Sequence, residues 1–173
     1  MRKILVLLFA SAAVASQAIV IPIGFFGTPP ALRSNFDSMA AGSYTSFPVF
    51  SGNGIAAALG PGSLIVGPPF LSSPNGMSGS NADVLIRMNI PMRRFGGRFR
   101  NMVLSTGVAA TAATFKFFDA SGTFLGSNTV PLTPTWTWQG FLTNPKWVRV
   151  EIYGNIPGFQ GGVVMDNLRV RPN

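Results

Sequence analysis

Few residues of this 173-residue sequence can do chemistry, because it contains no Cys and no His. That excludes thiol nucleophiles, thiolate metal sites and an imidazole general base. The remaining acid–base groups are the five carboxylates Asp37, Asp83, Asp119, Glu151 and Asp166. A glycoside hydrolase would need two of them facing each other across a cleft. Asp119 is expected in a turn, and Asp83 has no evident partner. Glu151 is expected to face solvent beside Arg149. We therefore predict a protein that is not an enzyme, with a carboxylate-dependent glycoside hydrolase as the last alternative.

The densest charge feature is a group of four arginines in the middle of the chain, Arg93, Arg94, Arg98 and Arg100. If residues 95–104 form a strand, alternation places Arg98 and Arg100 on one face and Phe99 on the other. Guanidinium groups bind phosphate, sulfate or uronate oxygens bidentately. The group therefore fits an anionic polymer, in agreement with the net charge of +8. The alternative is a solvated sheet face above a core that holds Phe99.

The three tryptophans, Trp136, Trp138 and Trp147, form a second candidate site, because flat sugar faces pack on aromatic rings. Trp136 and Trp138 are two residues apart, so in a strand they share one face. The spacing predicts a sugar-stacking platform there. Burial in the core is the competing interpretation.

The elements that must position these residues are predicted to be strands. Short segments rich in Phe, Val, Ile, Thr and Trp alternate with Gly, Pro, Asn and Ser, and no sustained helical period occurs outside the N-terminus. The clearest hairpin pairs residues 113–118 with 123–130 through a turn at 119–122, where Asp and Gly suit the first and fourth positions. Further strands are predicted at 83–88, 95–104, 135–141, 147–153 and 163–170. The Pro-rich region from residue 19 to residue 81 predicts only short edge strands.

The N-terminus has the pattern of a secretory signal peptide. Arg2 and Lys3 precede an apolar run that ends near Ala15, followed by small residues. We predict a signal peptide over residues 1–18, cleaved after Ala18 or after Ala15, then an extended segment 19–34 and one domain over 35–173. The run is shorter than a membrane-spanning helix, so no stable membrane anchor is expected after its removal. The expected location is the periplasm or the extracellular space, and no nucleic-acid partner is expected.

The order of several segments resembles a known family. They are Phe36-Asp37, Ser78-Gly79-Ser80-Asn81, Ile90-Pro91-Met92 with Phe95-Gly96-Gly97-Arg98-Phe99, Phe117-Phe118-Asp119-Ala120-Ser121-Gly122, Trp138-Gln139-Gly140-Phe141, Val148-Arg149-Val150-Glu151-Ile152 and Val164-Met165-Asp166-Asn167-Leu168-Arg169-Val170. Together they are similar to secreted bacterial proteins of the PEP-CTERM type, whose fold is related to carbohydrate-binding modules. The sequence has no Pro-Glu-Pro sorting signal, so anchoring by that route is not expected.

The resemblance implies an all-β jelly-roll β-sandwich of two antiparallel sheets and a secreted, non-catalytic protein that binds glycans or coats a surface. The alternative is a basic secreted protein that binds polyanions through the four arginines. The resemblance also implies that Asp37 and Asp166 share a structural calcium ion, which needs six to eight oxygen ligands. Local hydrogen bonds made by these two carboxylates are the competing interpretation, and no other cofactor is expected.

Overall fold

The computed structural model describes residues 19–24, 31–67, 76–80, 82–102, 109–156 and 161–173. The predicted signal peptide lies outside the described residues. The strands are β1 (Ile19–Pro22), β2 (Leu32–Ser34), β3 (Gly42–Tyr44), β4 (Ser46–Val49), β5 (Gly54–Leu59), β6 (Ser63–Gly67), β7 (Gly76–Ser80), β8 (Asp83–Asn101), β9 (Ala112–Phe118), β10 (Phe124–Pro131), β11 (Thr137–Gly154) and β12 (Gly161–Arg171). The described part of the chain has one 3-10 turn, η1 (Phe50–Gly52), and no α-helix.

The strands form two antiparallel sheets that share the two longest strands. In the first sheet the order is β4, β5, the first half of β8, the second half of β11, β9 and β10. In the second sheet the order is β1, the first half of β11, the second half of β8, β12, β7, β6 and β3, and β2 also pairs with β12. The fold is the all-β jelly-roll β-sandwich that the sequence predicts.

β8 and β11 both pass from one sheet to the other near the paired residues Met92 and Trp147. Their ladder is regular from Phe99 to Arg94 and again from Arg87 to Val84, with irregularities on either side of the Met92–Trp147 pair. Such bulges bend a strand and raise its twist, which allows one strand to serve two sheets. The strands predicted separately at 83–88 and 95–104 therefore belong to one strand, β8, which ends at Asn101, and residues 103 and 104 lie outside the described residues. Those predicted at 135–141 and 147–153 belong to β11, which begins at Thr137.

The core between the sheets is aromatic. Phe95 and Phe99 from β8 meet Phe115 and Phe117 from β9, with ring centroids 5.0 to 6.3 Å apart. Trp147 packs edge-on against Phe95 at 5.7 Å. All five rings are buried. Edge-to-face contacts at these distances add to the stabilisation from burial alone.

The predicted hairpin is confirmed, with Phe118 of β9 paired to Phe124 of β10. The carboxylate of Asp119 accepts hydrogen bonds from the Ser121 hydroxyl at 2.6 Å and from the backbone amides of Ser121 and Thr123 at 2.9 Å. These bonds, led by that of the Ser121 hydroxyl, lower the pKa of Asp119, because they stabilise the ionised form.

The strands before residue 81 are short, as predicted, but they do not all lie at sheet edges. β5 pairs with β4 and β8, and β6 pairs with β3 and β7. The prediction of edge strands is wrong here, because Pro22 and Pro48 lie in β1 and β4, whereas β5 and β6 contain no proline and can pair on both sides. β1 and β2 belong to the second sheet, so the segment predicted as extended contributes two of its strands. Among the described residues, no helix is long and apolar enough to cross a membrane.

Candidate functional site

The outer face of the second sheet collects both candidate groups from the sequence. Phe95 and Phe99 point into the core, so the residues that alternate with them on β8 point outward. Trp138 of β11 lies opposite Arg98, and Arg169 of β12 lies opposite Gly96. Residues directly opposite each other share a face. We call this surface the Trp–Arg face; its members are Trp136, Trp138, Arg33, Arg94, Arg98, Arg100, Arg169 and Arg171.

Trp138 lies close to the backbone of β8 because Gly96 has no side chain. A Cβ atom placed on Gly96 would come within 2.9 Å of Cζ2 of Trp138. The guanidinium of Arg169 lies over the Trp138 ring, 5.3 Å from its centroid. The ring is half-buried, so the platform consists of an indole and a cation together.

Trp136 repeats this arrangement one step along the same face. The guanidinium of Arg100 lies over its ring at 5.1 Å, and the ring is half-buried. Trp147, the third tryptophan, is in the core between the sheets. The burial interpretation is therefore correct for Trp147, whereas Trp136 and Trp138 lie on the outer face.

The four arginines that the sequence singles out do not all lie together. Arg94, Arg98 and Arg100 alternate with the buried Phe95 and Phe99 and so belong to the Trp–Arg face. Arg93 is next to Arg94 in β8, so alternation places it off this face, and it lies where the ladder is irregular between Arg94 and Met92.

Sequence reasoning did not select Arg33 and Arg169, which lie opposite each other on β2 and β12. The alternation of Leu168, Arg169 and Val170, with both neighbours buried, indicated that Arg169 faces outward. Nothing in the sequence indicated that β2 pairs with β12. The pairing of the first and last parts of the chain is a tertiary feature.

Asp37 and Asp166, the candidate calcium ligands, each accept a hydrogen bond from a nearby asparagine. Asp37 accepts a hydrogen bond from the amide of Asn35 at 3.0 Å. Asp166 is buried, accepts a hydrogen bond from the Asn167 amide and lies opposite Arg98. Within the described ranges, no three His, Cys, Asp or Glu side chains form a group that could hold a metal. A calcium ion shared by Asp37 and Asp166, with loop carbonyl oxygens among its ligands, stays a prediction.

A polar network occupies the outer face of the first sheet. Glu151 is 9% exposed, so the expectation that it faces solvent is wrong. It accepts a hydrogen bond from the Tyr153 hydroxyl at 2.6 Å and pairs with Arg149 at 3.3 Å. Lys116 lies over the Tyr153 ring at 4.4 Å. Arg149 and Tyr153 lie on either side of Glu151 on this face, and their longer side chains cover its carboxylate.

Asp83 lies on this same face, two residues before Leu85, which is paired with Glu151. It is buried and accepts a hydrogen bond from the backbone amide of Gly154. The cavity on this face is lined by residues of β8, β11 and the 119–122 turn, and neither Asp83 nor Glu151 lines it. Two carboxylates facing each other across an open cleft, which a glycosidase requires, are not found here.

The surroundings of the Tyr153 hydroxyl change its pKa. Burial first, then the hydrogen bond to ionised Glu151, raise its pKa above the ordinary value of 10.0. The folded state therefore holds this proton more tightly than the unfolded state does. The Tyr153 hydroxyl therefore contributes to the free energy of unfolding below about pH 10. This contribution is lost as the pH rises further, since only the unfolded chain releases the proton readily. We expect Tyr153→Phe to reduce this alkaline loss.

Urea unfolding midpoints of both proteins, measured from neutral pH to about pH 12, test this prediction. The midpoints at neutral pH are the control, because the hydroxyl is protonated there in both states. An equally steep alkaline loss in Tyr153→Phe would contradict the assignment.

No family model and no curated protein matches the chain. Solved structures do. The CBM22-1 xylan-binding domain of Xyn10C from Paenibacillus barcinonensis is 11% identical with a TM-score of 0.53, and the match covers 82% of this chain and 94% of that one. This likeness defines the class of fold, the β-sandwich of carbohydrate-binding modules.

Two further matches are more distant. A mutant of CBM29-2, a family 29 carbohydrate-binding module, is 9% identical with a TM-score of 0.45, covering 85% of this chain and 94% of that one. The arabinose-bound α-L-arabinofuranosidase MgGH51 is 16% identical with a TM-score of 0.49, covering 82% of this chain and 26% of that one.

Proposed function

We propose that this chain is a secreted, non-catalytic module that binds glycans through the Trp–Arg face. The observation that carries the proposal is the placement of Trp136 and Trp138, half-buried, beside arginines on one outer sheet face of a β-sandwich. Sugar rings offer flat apolar faces to indoles and hydroxyl oxygens to guanidinium donors. Both kinds of group are present within one surface.

Two further features support the proposal. The N-terminal pattern of a signal peptide agrees with export, and the resemblance to secreted bacterial proteins of the PEP-CTERM type agrees with a role outside the cell. The arrangement of Asp83 and Glu151, both buried and absent from the cavity beside them, agrees with a protein that binds and does not catalyse.

A second candidate, binding of polyanions, has its own supporting observation. The Arg169 and Arg100 guanidinium groups lie over the two indole rings, so a ligand on this face meets cations together with the rings. Cations so placed attract carboxylate and sulfate groups. The two candidates converge if the glycan is acidic.

The Trp138→Ala variant tests the proposal. Burying one indole against a ligand contributes about 1–3 kcal/mol, so we expect affinity to fall about tenfold or more. Calorimetric titration with xylan, polygalacturonate and dextran sulfate is the measurement. Phe124→Ala is the matched control, because that ring is 53% exposed on β10 of the other sheet.

We expect Phe124→Ala to bind like the parent protein and Trp138→Ala to stay folded by circular dichroism. Absence of binding to every glycan tested, or equal affinity of the parent protein and Trp138→Ala, would overturn the proposal.

A further inference from the structure

Arg33 and Arg169 face each other at the edge of the Trp–Arg face, where β2 pairs with β12. Directly opposed like charges destabilise a sheet, since their Cβ atoms lie about 5 Å apart. The chain nevertheless brings two guanidinium groups together here. An anion bound between the two guanidinium groups would offset their repulsion.

No carboxylate within the described part of the chain forms an ion pair with either arginine. The described ion pair joins Arg149 to Glu151 on the other sheet. Burial lowers the pKa of Arg169, and the charges of Arg33 and Arg98 lower it further. Two carboxylates lie near these arginines, and each accepts a hydrogen bond from an asparagine: Asp166, which is 1% exposed and lies opposite Arg98, from Asn167, and Asp37 from Asn35. Positive charge therefore remains in excess around Arg33 and Arg169.

A cavity of about 210 Å³ opens between these two arginines. It is lined by Arg33, Ser34, Asn35, Asn167, Leu168 and Arg169. Since one water takes about 30 Å³ of liquid volume, the space admits an anionic group and part of the ring that carries it. A second cavity, of about 450 Å³, adjoins it through Arg33, Ser34 and Asn35.

The backbone around the two cavities is held in uncommon conformations. Asn167, at φ 50°, forms the bulge that puts Asp166 and Arg169 on the same face. Phe50 and Ser51, each at φ 55°, line the larger cavity. Residues other than glycine rarely adopt this region, and such residues concentrate at binding sites. No other described residue except glycine has a positive φ.

We propose that the cavity between Arg33 and Arg169 binds the anionic group of an acidic glycan, a uronate carboxylate or a sugar sulfate. The two guanidinium groups donate to the anionic oxygens, and the hydroxyl of Ser34 and the amides of Asn35 and Asn167 supply further donors. The Trp138 ring lies beneath Arg169, so the indole holds that guanidinium beside the cavity. The inference rests on the proposed function and names its ligand class.

The variants Arg33→Gln and Arg169→Gln test the inference, with Arg87→Gln as the matched control. Arg87 is exposed on the first sheet, so the control removes the same charge from another surface. Each test variant removes hydrogen bonds from a guanidinium group to the anionic group of the ligand. We therefore expect either variant to bind polygalacturonate about tenfold to hundredfold more weakly. We expect little change in Arg87→Gln, and a melting temperature of Arg33→Gln that is unchanged or higher.

Titrations with xylan, polygalacturonate and dextran sulfate separate the ligand sources. If polygalacturonate binds more tightly than dextran sulfate, the anionic group is a carboxylate. If dextran sulfate binds more tightly, it is a sulfate. Equal losses in all three variants would indicate non-specific attraction and overturn the inference, as would tighter binding of duplex DNA. Binding of neutral xylan alone would overturn the inference and leave the proposed function standing, whereas no binding of any glycan would overturn both.

Discussion

Replacing Phe95 by Ala is expected to lower the free energy of unfolding by about 3–5 kcal/mol. The ring is fully buried and contacts Phe99, Phe115, Phe117 and Trp147, with centroids 5.7 to 6.3 Å apart. Removing it leaves a cavity at the point where both sheets meet, and aromatic neighbours cannot close it without breaking their own contacts. A domain is stable by only about 5–15 kcal/mol, so a large part of that stability would be lost.

Urea unfolding followed by tryptophan fluorescence measures this loss, because Trp147 reports on the same cluster. Ile55→Ala is the control: Ile55 is 47% exposed, and its truncation should change stability by no more than about 0.5 kcal/mol. A loss below about 1 kcal/mol in Phe95→Ala would show that the two sheets do not pack through this ring.

Replacing Gly96 by Val is expected to weaken the proposed glycan binding about tenfold or more, as Trp138→Ala does, and to weaken the fold. Its Cβ atom would come within 2.9 Å of both the backbone oxygen of Gln139 and Cζ2 of Trp138. The indole can swing away, whereas the backbone must shift. Forced overpacking costs about 1–3 kcal/mol. The displaced ring would also leave Arg169, so the sugar platform and its cation would separate.

Gly24→Val is the matched control, since nothing lies within 4 Å of a Cβ atom at that glycine. Affinity for polygalacturonate and thermal stability are measured for each single variant and for Gly96→Val combined with Trp138→Ala. If Gly96 acts through the ring, the double variant loses no more affinity than Trp138→Ala alone. Additive losses would place the effect of Gly96 elsewhere.

Local chemistry explains the predictions that the structure confirms. The 119–122 turn follows from an aspartate that bonds the amides ahead of it and a glycine at φ 85°. The outward orientation of Arg98 and Arg100 follows from alternation around Phe99. Each of these statements needs only a few neighbouring residues, which is why the sequence predicts them.

The errors arise where strands that are distant in sequence determine the outcome. The predicted strands leave out Pro91 and Pro145, yet both lie inside continuous strands, β8 and β11, at places where the ladder is irregular. A proline is tolerated at a bulge because no ladder hydrogen bond needs its nitrogen. The same irregularity turns Trp147 into the core beside Val150 and Ile152, although simple alternation places Trp147 with Arg149.

The sequence by itself determined the all-β class, the exclusion of thiol and imidazole chemistry, and the orientation of side chains within regular strands. Only the tertiary structure decided that Trp138 lies between Gly96 and Arg169, and that Arg33 joins the arginine group from the other end of the fold. The physical reason is that alternation is a property of one strand. Register and bulges depend on hydrogen bonds and core packing between strands that the sequence does not place side by side.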